Sequence, residues 1–136
     1  MAEKVFKLEI VTPRKVIFSG DVVSFSAPGV LGGFQVLYNH APMLSQIAIG
    51  EVKLKDTHGV ETRYATSGGF VVVFKNHVVM LAESAERPED IDKARTESAR
   101  DRARRRVSER KPDIDLERAR AALNRALNRL RIAQRE

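Results

Sequence analysis

Arginine carries most of the chemistry this sequence offers. Arg95, Arg102 and Arg106 recur at separations of seven and four, and Arg125 and Arg129 at four, spacings that stack side chains along one face of a helix. A guanidinium presents a fixed fork of donors that matches phosphate oxygens, so such pairs could hold a polyphosphate. Two other readings of the same residues stand beside it. Asp92 with Arg95, Glu97 with Arg100 and Asp101 with Arg105 lie at pairing distance along a helix, as on an ordinary solvated face. The run at residues 100–106, Arg-Asp-Arg-Ala-Arg-Arg-Arg, would also neutralise several phosphates of a nucleic acid. Against that, ten acids share the tail with these bases, and it has no aromatic residue on which a base could stack.

Little else is arranged for reaction. His40, His58 and His77 are scattered beside turn signals, with no cysteine and no second histidine at ligand spacing, so no metal site is expected. Ser67-Gly68-Gly69-Phe70 has the glycines of a phosphate-binding loop, but no lysine and no helix follow, which predicts a tight turn feeding a strand. No nucleophile and base are spaced to act together, and no catalytic activity is expected.

The elements that must position these groups fall into two unlike halves. Thirteen of the sixteen arginines lie after Pro88, whereas every aromatic residue lies at or before Phe74 and every glycine at or before Gly69. Through Arg87, nine basic residues face eight acidic ones; beyond it fifteen face ten, so nearly all the net charge of +6 belongs to the tail. A chain of 136 residues holds one compact core and an appendage. The absence of cysteine removes disulfides and thiolate metal sites and fits a reducing compartment. The longest apolar runs, residues 70–74 and 78–82, fall far short of the roughly 18 to 20 residues that span a bilayer. No secretory leader precedes the first patterned segment, so the protein is expected to stay where it is made, with any membrane link through a partner.

In the first half, strand patterns are expected at residues 5–11, 16–18, 22–27, 33–37, 46–49, 52–55, 62–65, 70–74 and 78–82. Ser19-Gly20-Asp21, His58-Gly59 and Lys75-Asn76-His77 supply turns between them. Short strands with tight connections predict an antiparallel β-sandwich or flattened barrel, because parallel strands need long crossovers. Its expected core comprises Leu8, Ile10, Phe18, Val23, Phe25, Val36, Ile47, Phe70, Val72, Phe74, Val79 and Leu81.

The second half predicts an α-helical hairpin. Pro88-Glu89-Asp90 suits the start of a helix running to about residue 109, Lys111-Pro112 interrupts it, and Asp113 is the expected N-cap of a second helix. Each rod would be about 30 Å long. On the second, Leu116, Leu123, Leu127 and Leu130 form one seam, a core contact, with Arg118, Arg125 and Arg129 opposite. The first has only Ile91 and Val107 as bulky apolar residues, with Ala94, Ala99 and Ala103 spread around it, which predicts a weakly held, mobile helix.

Taken in order, Val11-Thr12-Pro13, His40-Ala41-Pro42, Ser67-Gly68-Gly69-Phe70, Ala85-Glu86-Arg87 and Ile91-Asp92-Lys93-Ala94-Arg95-Thr96 resemble the epsilon subunit of bacterial F-type ATP synthase over nearly the full chain. The resemblance implies a rotor-seated β-sandwich at residues 1–87 and a two-helix regulatory domain at residues 88–136. It implies a non-catalytic subunit of the central stalk, with the gamma subunit, the c-subunit ring and the alpha/beta catalytic head as partners. Membrane association would come only through the complex, on the cytoplasmic face of the bacterial membrane. The helices would inhibit ATP hydrolysis when extended and fold back when ATP binds. ATP is then a regulatory ligand rather than a required cofactor, magnesium's part in its binding is left open, and nucleic acid is not implied. The implied nucleotide set is Glu86, Ile91 and Asp92 toward the adenosine, with Arg95, Arg102, Arg125 and Arg129 toward the phosphates. Thr96 stands where the motif has alanine, which would crowd or polarise the base pocket. Residues 33–39 replace a commoner Leu-Gly-Ile-Leu-Pro-Gly pattern. Judged on charge alone, the alternative is a nucleic-acid-binding adaptor using the arginine-rich tail; a third reading is a purely structural coupling element with a static hairpin.

Overall fold

A computed structural model of the chain describes residues 4–134. The chain divides into two compact units, one ending at Glu86 and the other beginning at Arg87.

The first unit is a β-sandwich of nine strands: β1 Phe6–Val11, β2 Val16–Gly29, β3 Gly32–Val36, β4 Met43–Ile47, β5 Gly50–Asp56, β6 Glu61–Thr66, β7 Gly69–Phe74, β8 His77–Ala82 and β9 Ala85–Glu86. One layer runs β1-β8-β7-β4; the other groups β3, β2, β5, β6 and β9. Both layers draw on β2, whose first part pairs with β1 and whose second part pairs with β3 and β5. Ser19-Gly20-Asp21 therefore does not turn, contrary to expectation. Gly20 lies opposite Leu8 and Asp21 opposite Lys7, so ladder bonds and a favourable charge pairing carry the strand straight through. The strand expected at residues 46–49 is displaced to Met43–Ile47 by its ladder with β7. All pairings are antiparallel except β1 with β8, which join the two ends of the domain and so have a long connection between them.

Ladder register decides which apolar side chains are inside. Leu8, Ile10, Phe25, Val36 and Ile47 are buried as expected, and Phe18 is partly buried against them. In β7 and β8 the inward residues are Val71, Val73, Val78, Met80 and Ala82, which leaves Phe70, Val72, Phe74 and Leu81 on the outer face and Val79 half-buried. Residues 70–74 are apolar at every position, so the run has no alternation to read. A register shift between Val22 and Ser24 turns Val22 and Phe25 inward together and leaves Val23 half-buried.

In the second unit, Pro88–Asp90 is a single 3₁₀ turn rather than the start of the long helix. Ile91 is buried and extended, which interrupts the helical path, and α1 runs from Lys93 to Glu109 with Asp92 as N-cap. The second helix, α2, is Leu116–Gln134. Its cap is Asp115, not Asp113: the Asp115 carboxylate accepts from the Arg118 backbone N–H at 3.1 Å. Asp113 instead lies inside a turn closed by the Ile114 N–H bonding to the Lys111 carbonyl at 3.0 Å. Replacing Asp115 by alanine should cost the helical unit about 1 kcal/mol, whereas Asp113→Ala should change it by less than about 0.5 kcal/mol. Amide exchange in the first turn of α2 measures both; equal effects would contradict this cap.

The helices meet through small residues. Thr96 and Ala103 of α1, with Ala99 and Val107 half-buried beside them, face Ala119, Ala126, Leu130 and Ala133 of α2. These α1 residues fall within about 100° of arc, since Ile91 lies outside the helix and Ala94 is exposed. The apolar residues of α1 are thus gathered rather than spread. The leucine seam is turned partly away from the contact: Leu116 and Leu123 are half-buried and Leu127 is 40% exposed. Alanines let two backbones approach closely where leucines would hold them apart.

Candidate functional site

The hairpin leaves one flank open as a cleft of about 740 Å³ at its turn end. Arg102 and Arg106 reach it from α1, Arg118 and Arg125 from α2 and Lys111 from the turn, over a floor that includes Ala99, Ala103, Ala119 and Ala122. The three acids on its wall are Glu109, Asp113 and Asp115. Glu109 pairs with Lys111 at 3.5 Å and Asp115 caps α2, so two of them are engaged locally. None of the four arginine guanidiniums forms an ion pair or a hydrogen bond among the described residues. Five cations and three acids thus line one concavity of ligand size, with the four guanidiniums not engaged by the acids beside them.

The sequence-derived nucleotide set is brought together only in part. Arg102 and Arg125 line the cleft; Arg95 and Arg129 share the same helical flanks but lie farther from the turn, outside the residues that form it. Arg129 is half-buried and Arg95 exposed. Asp92 is exposed, and its carboxylate accepts from the Arg95 backbone N–H at 3.1 Å, so its first role is to cap α1. Ile91 is buried and its N–H bonds to the Pro88 carbonyl at 3.3 Å. Thr96 is fully buried, with its hydroxyl donating to the Asp92 carbonyl at 2.7 Å, so its polar atom is satisfied inside α1. Glu86 belongs to β9, at the end of the first unit.

The ion pairs expected along α1 are replaced by one between neighbours, Arg100 with Asp101 at 3.0 Å. Arg106 and Arg118 are the cleft arginines missing from the sequence-derived set. Their signal was present in the spacing, four from Arg102 and seven from Arg125, but without the alanine contact nothing showed that the two flanks face the same opening.

A second surface lies on the sandwich. Leu44, Phe70, Phe74 and Leu81 are 71%, 48%, 54% and 52% exposed, and with Val72 and Val79 they share the outer face of β4, β7 and β8. Ladder partners Leu44 and Val72, Val72 and Val79, and Phe70 and Leu81 make that face continuous. The other layer exposes charge instead, where Glu51 bridges Lys53 at 3.5 Å and Arg63 at 3.3 Å. One sheet face is thus finished for water and the other is not.

Among the described residues no group of His, Asp or Glu side chains is placed to hold a metal; His77 pairs with Glu9 at 2.9 Å. Ser67 and Gly68 link β6 to β7 without the tight turn expected, β7 beginning at Gly69, and the Gly68 N–H is bonded to the Thr66 hydroxyl at 3.2 Å.

Comparison with known proteins covers both units. A family model for the β-sandwich domain of the ATP synthase delta/epsilon chain matches residues 5–88, and one for its long α-helix domain matches residues 89–134. The chain is 48% identical over 134 residues to the ATP synthase epsilon chain of Salinibacter ruber, covering 93% of this chain and 90% of that one. With the ATP synthase epsilon chain of Desulfosudis oleivorans it shares 47% identity over 107 residues, covering 79% and 80%. Among solved structures, a chain of the Euglena gracilis mitochondrial ATP synthase OSCP/F1/c-ring assembly superposes with a TM-score of 0.79 at 23% identity, over 90% of this chain and 77% of that one.

Proposed function

Because this chain belongs to the ATP synthase epsilon-chain family and is a non-catalytic subunit of the central stalk, we propose that its sandwich seats on the rotor and its hairpin regulates ATP hydrolysis. The seat is made against the gamma subunit and the c-subunit ring. The observation that carries it is the continuous apolar face of β4, β7 and β8, whose exposure to water is unfavourable until a partner covers it. At the β2–β3 hairpin tip, Val30 is exposed and Leu31 fully so, which supplies a separate apolar contact suited to the ring. Among the described residues no helix is long and apolar enough to cross a membrane. Seating on the rotor would hold the protein at the cytoplasmic face of the bacterial membrane through the complex.

The hairpin acts as an arm that inhibits hydrolysis when extended into the alpha/beta head. Its α1 buries few side chains, so that helix detaches or repositions at low cost. ATP serves as a regulatory ligand of the folded hairpin and is not required for the fold. Arg102 and Arg125 take its phosphates from the cleft, with Arg95 and Arg129 farther along the flanks and Ile91 and Asp92 toward the adenosine. ATP then shifts the arm by its difference in affinity between the two positions.

Assembly of the enzyme with a chain ending at Arg87 tests the arm. Hydrolysis should rise by about fivefold or more, while proton-driven synthesis is partly retained. Equal hydrolysis with and without the helices would make the hairpin a static coupling element.

A further inference from the structure

We propose that Asn39 and Asn76 form a clasp that carries the docking face of the sandwich around its edge to a cleft built for an acidic side chain of the partner. The contact rests on the rotor-seat reading and gives one part of that seat its chemistry. The cleft, about 460 Å³, is lined by Lys4, Val23, Leu37, Tyr38 and Asn39. It opens where β2 changes partners. Along one edge of β2 the ladder with β1 ends at the pair Phe6 and Val22, and the ladder with β3 begins at Phe25 and Val36. Because β5 holds the other edge, Val23 lies at a gap between two separate strands.

The clasp is a closed pair of amides. The Asn39 backbone N–H donates to Asn76 Oδ1 at 2.7 Å, and Asn76 Nδ2 donates to Asn39 Oδ1 at 2.9 Å. The Asn76 carbonyl also accepts from the Lys7 N–H at 2.9 Å, so one turn residue ties the β3–β4 loop to β1 and to the β7–β8 turn. Asn39 and Asn76 have φ of 62° and 58°, left-handed backbone that asparagine tolerates better than most side chains. Asn39 is exposed and Asn76 half-buried, so water competes for these bonds and their net contribution to folding is small. What they fix is the loop. It presents Leu37 and Tyr38, 52% and 42% exposed, before a partner arrives, which lowers the ordering cost of association.

Charge and continuity select the occupant. Among the described residues Lys4 is the only charged group lining the cleft, and it forms no ion pair. Lys75, beside Asn76, also lacks an ion pair among them and lies over the Phe74 ring, 5.2 Å from its centroid. Phe74 belongs to the apolar face of β4, β7 and β8, so Phe74, Lys75, Asn76, Asn39 and Tyr38 lead without a break from that face to the cleft. The Val30 and Leu31 tip precedes β3 whereas the cleft follows it, so the partner covering the sheet face, not the ring at the tip, reaches the cleft. An aspartate or glutamate of that partner meets the Lys4 ammonium while its stem covers Val23 and Leu37.

Binding of the full chain to the gamma subunit, followed as association and dissociation rates at low and high salt, tests the contact. Asn39→Gly and Asn76→Gly each keep the left-handed backbone and remove the clasp. Each should weaken binding about tenfold, with a thermal melt within about 3 °C of the parent. The double variant should lose no more than either single one, since one break opens the clasp. Lys4→Glu should slow association and reverse its dependence on salt. Glycine variants that bind like the parent, or losses that add in the double variant, would overturn the clasp. An unchanged salt dependence in Lys4→Glu would overturn the acidic occupant. Binding abolished by Phe70→Asp with Leu81→Asp, but untouched by the Asn39, Asn76 and Lys4 substitutions, would sink this contact and leave the rotor seat standing. No binding of the gamma subunit by the parent chain would remove both.

Discussion

Replacing Phe70 and Leu81 by aspartate should release the protein from the rotor without unfolding it. The two residues are ladder partners on the outer face of β7 and β8, each about half exposed, so their side chains contribute little to the sandwich interior. A seated partner would bury them, and a carboxylate trapped there without a counter-charge is costly to desolvate. Central apolar anchors of an interface are worth about 2 kcal/mol or more each. The double variant should therefore bind the gamma subunit at least about 100-fold more weakly, a loss near 3 kcal/mol. Co-purification with that subunit and a thermal melt of the free protein give the two readings. A Lys53→Glu, Lys55→Glu pair on β5 should leave binding intact. Undiminished co-purification of the Phe70, Leu81 variant would show that the stalk contacts some other surface.

Gly69→Ala should be among the most destabilising single substitutions in the sandwich. Gly69 has φ +148°, where side chains are rarely accommodated, and an added Cβ would fall 2.0 Å from the Leu81 carbonyl oxygen. That oxygen belongs to the backbone of β8, so relief requires moving the strand at the ladder where Gly69 pairs with Ala82. Backbone strain costs about 1 to 3 kcal/mol, and displacing the ladder should bring the total to about 3 to 5 kcal/mol. A domain of this size is stable by about 5 to 15 kcal/mol, so the variant should melt far below the parent. Gly59 offers the comparison: it has φ +79° but open space around its Cβ position, and Gly59→Ala should cost only about 1 kcal/mol. Chemical denaturation measures both, and comparable losses would argue against a steric cause.

The two predictions concern neighbouring residues of one segment, yet only one was legible from the chain. The glycine pair ahead of an apolar run announces the start of a strand, and β7 begins at Gly69. The run itself, Phe70 through Phe74, is apolar at every position, so either set of alternate side chains could form the core. Pairing with β4 and β8 resolved it toward Val71 and Val73 and left the phenylalanines outside, reversing the expectation. The straight passage of β2 through Ser19-Gly20-Asp21 has a similar origin, because a turn signal is local whereas the ladder with β1 is not. On the helical side, capping by Asp115 rather than Asp113 depended on where the loop placed each carboxylate, two residues apart in a segment with acids at both positions.

By itself the sequence determined the division into a glycine- and aromatic-bearing β region and an arginine-dense helical tail, since composition and period are properties of the chain alone. It also determined that arginines would recur along helical stripes. Which stripes meet was decided by the tertiary structure, through the burial of Ala103 and Ala119 between the helices, and so was the choice of Arg106 and Arg118 over Arg95 and Arg129 as cleft residues. The same is true of the docking face. Periodicity specifies what a side chain can do on its own element, but a site requires two elements in register, and that information resides in the contacts between them.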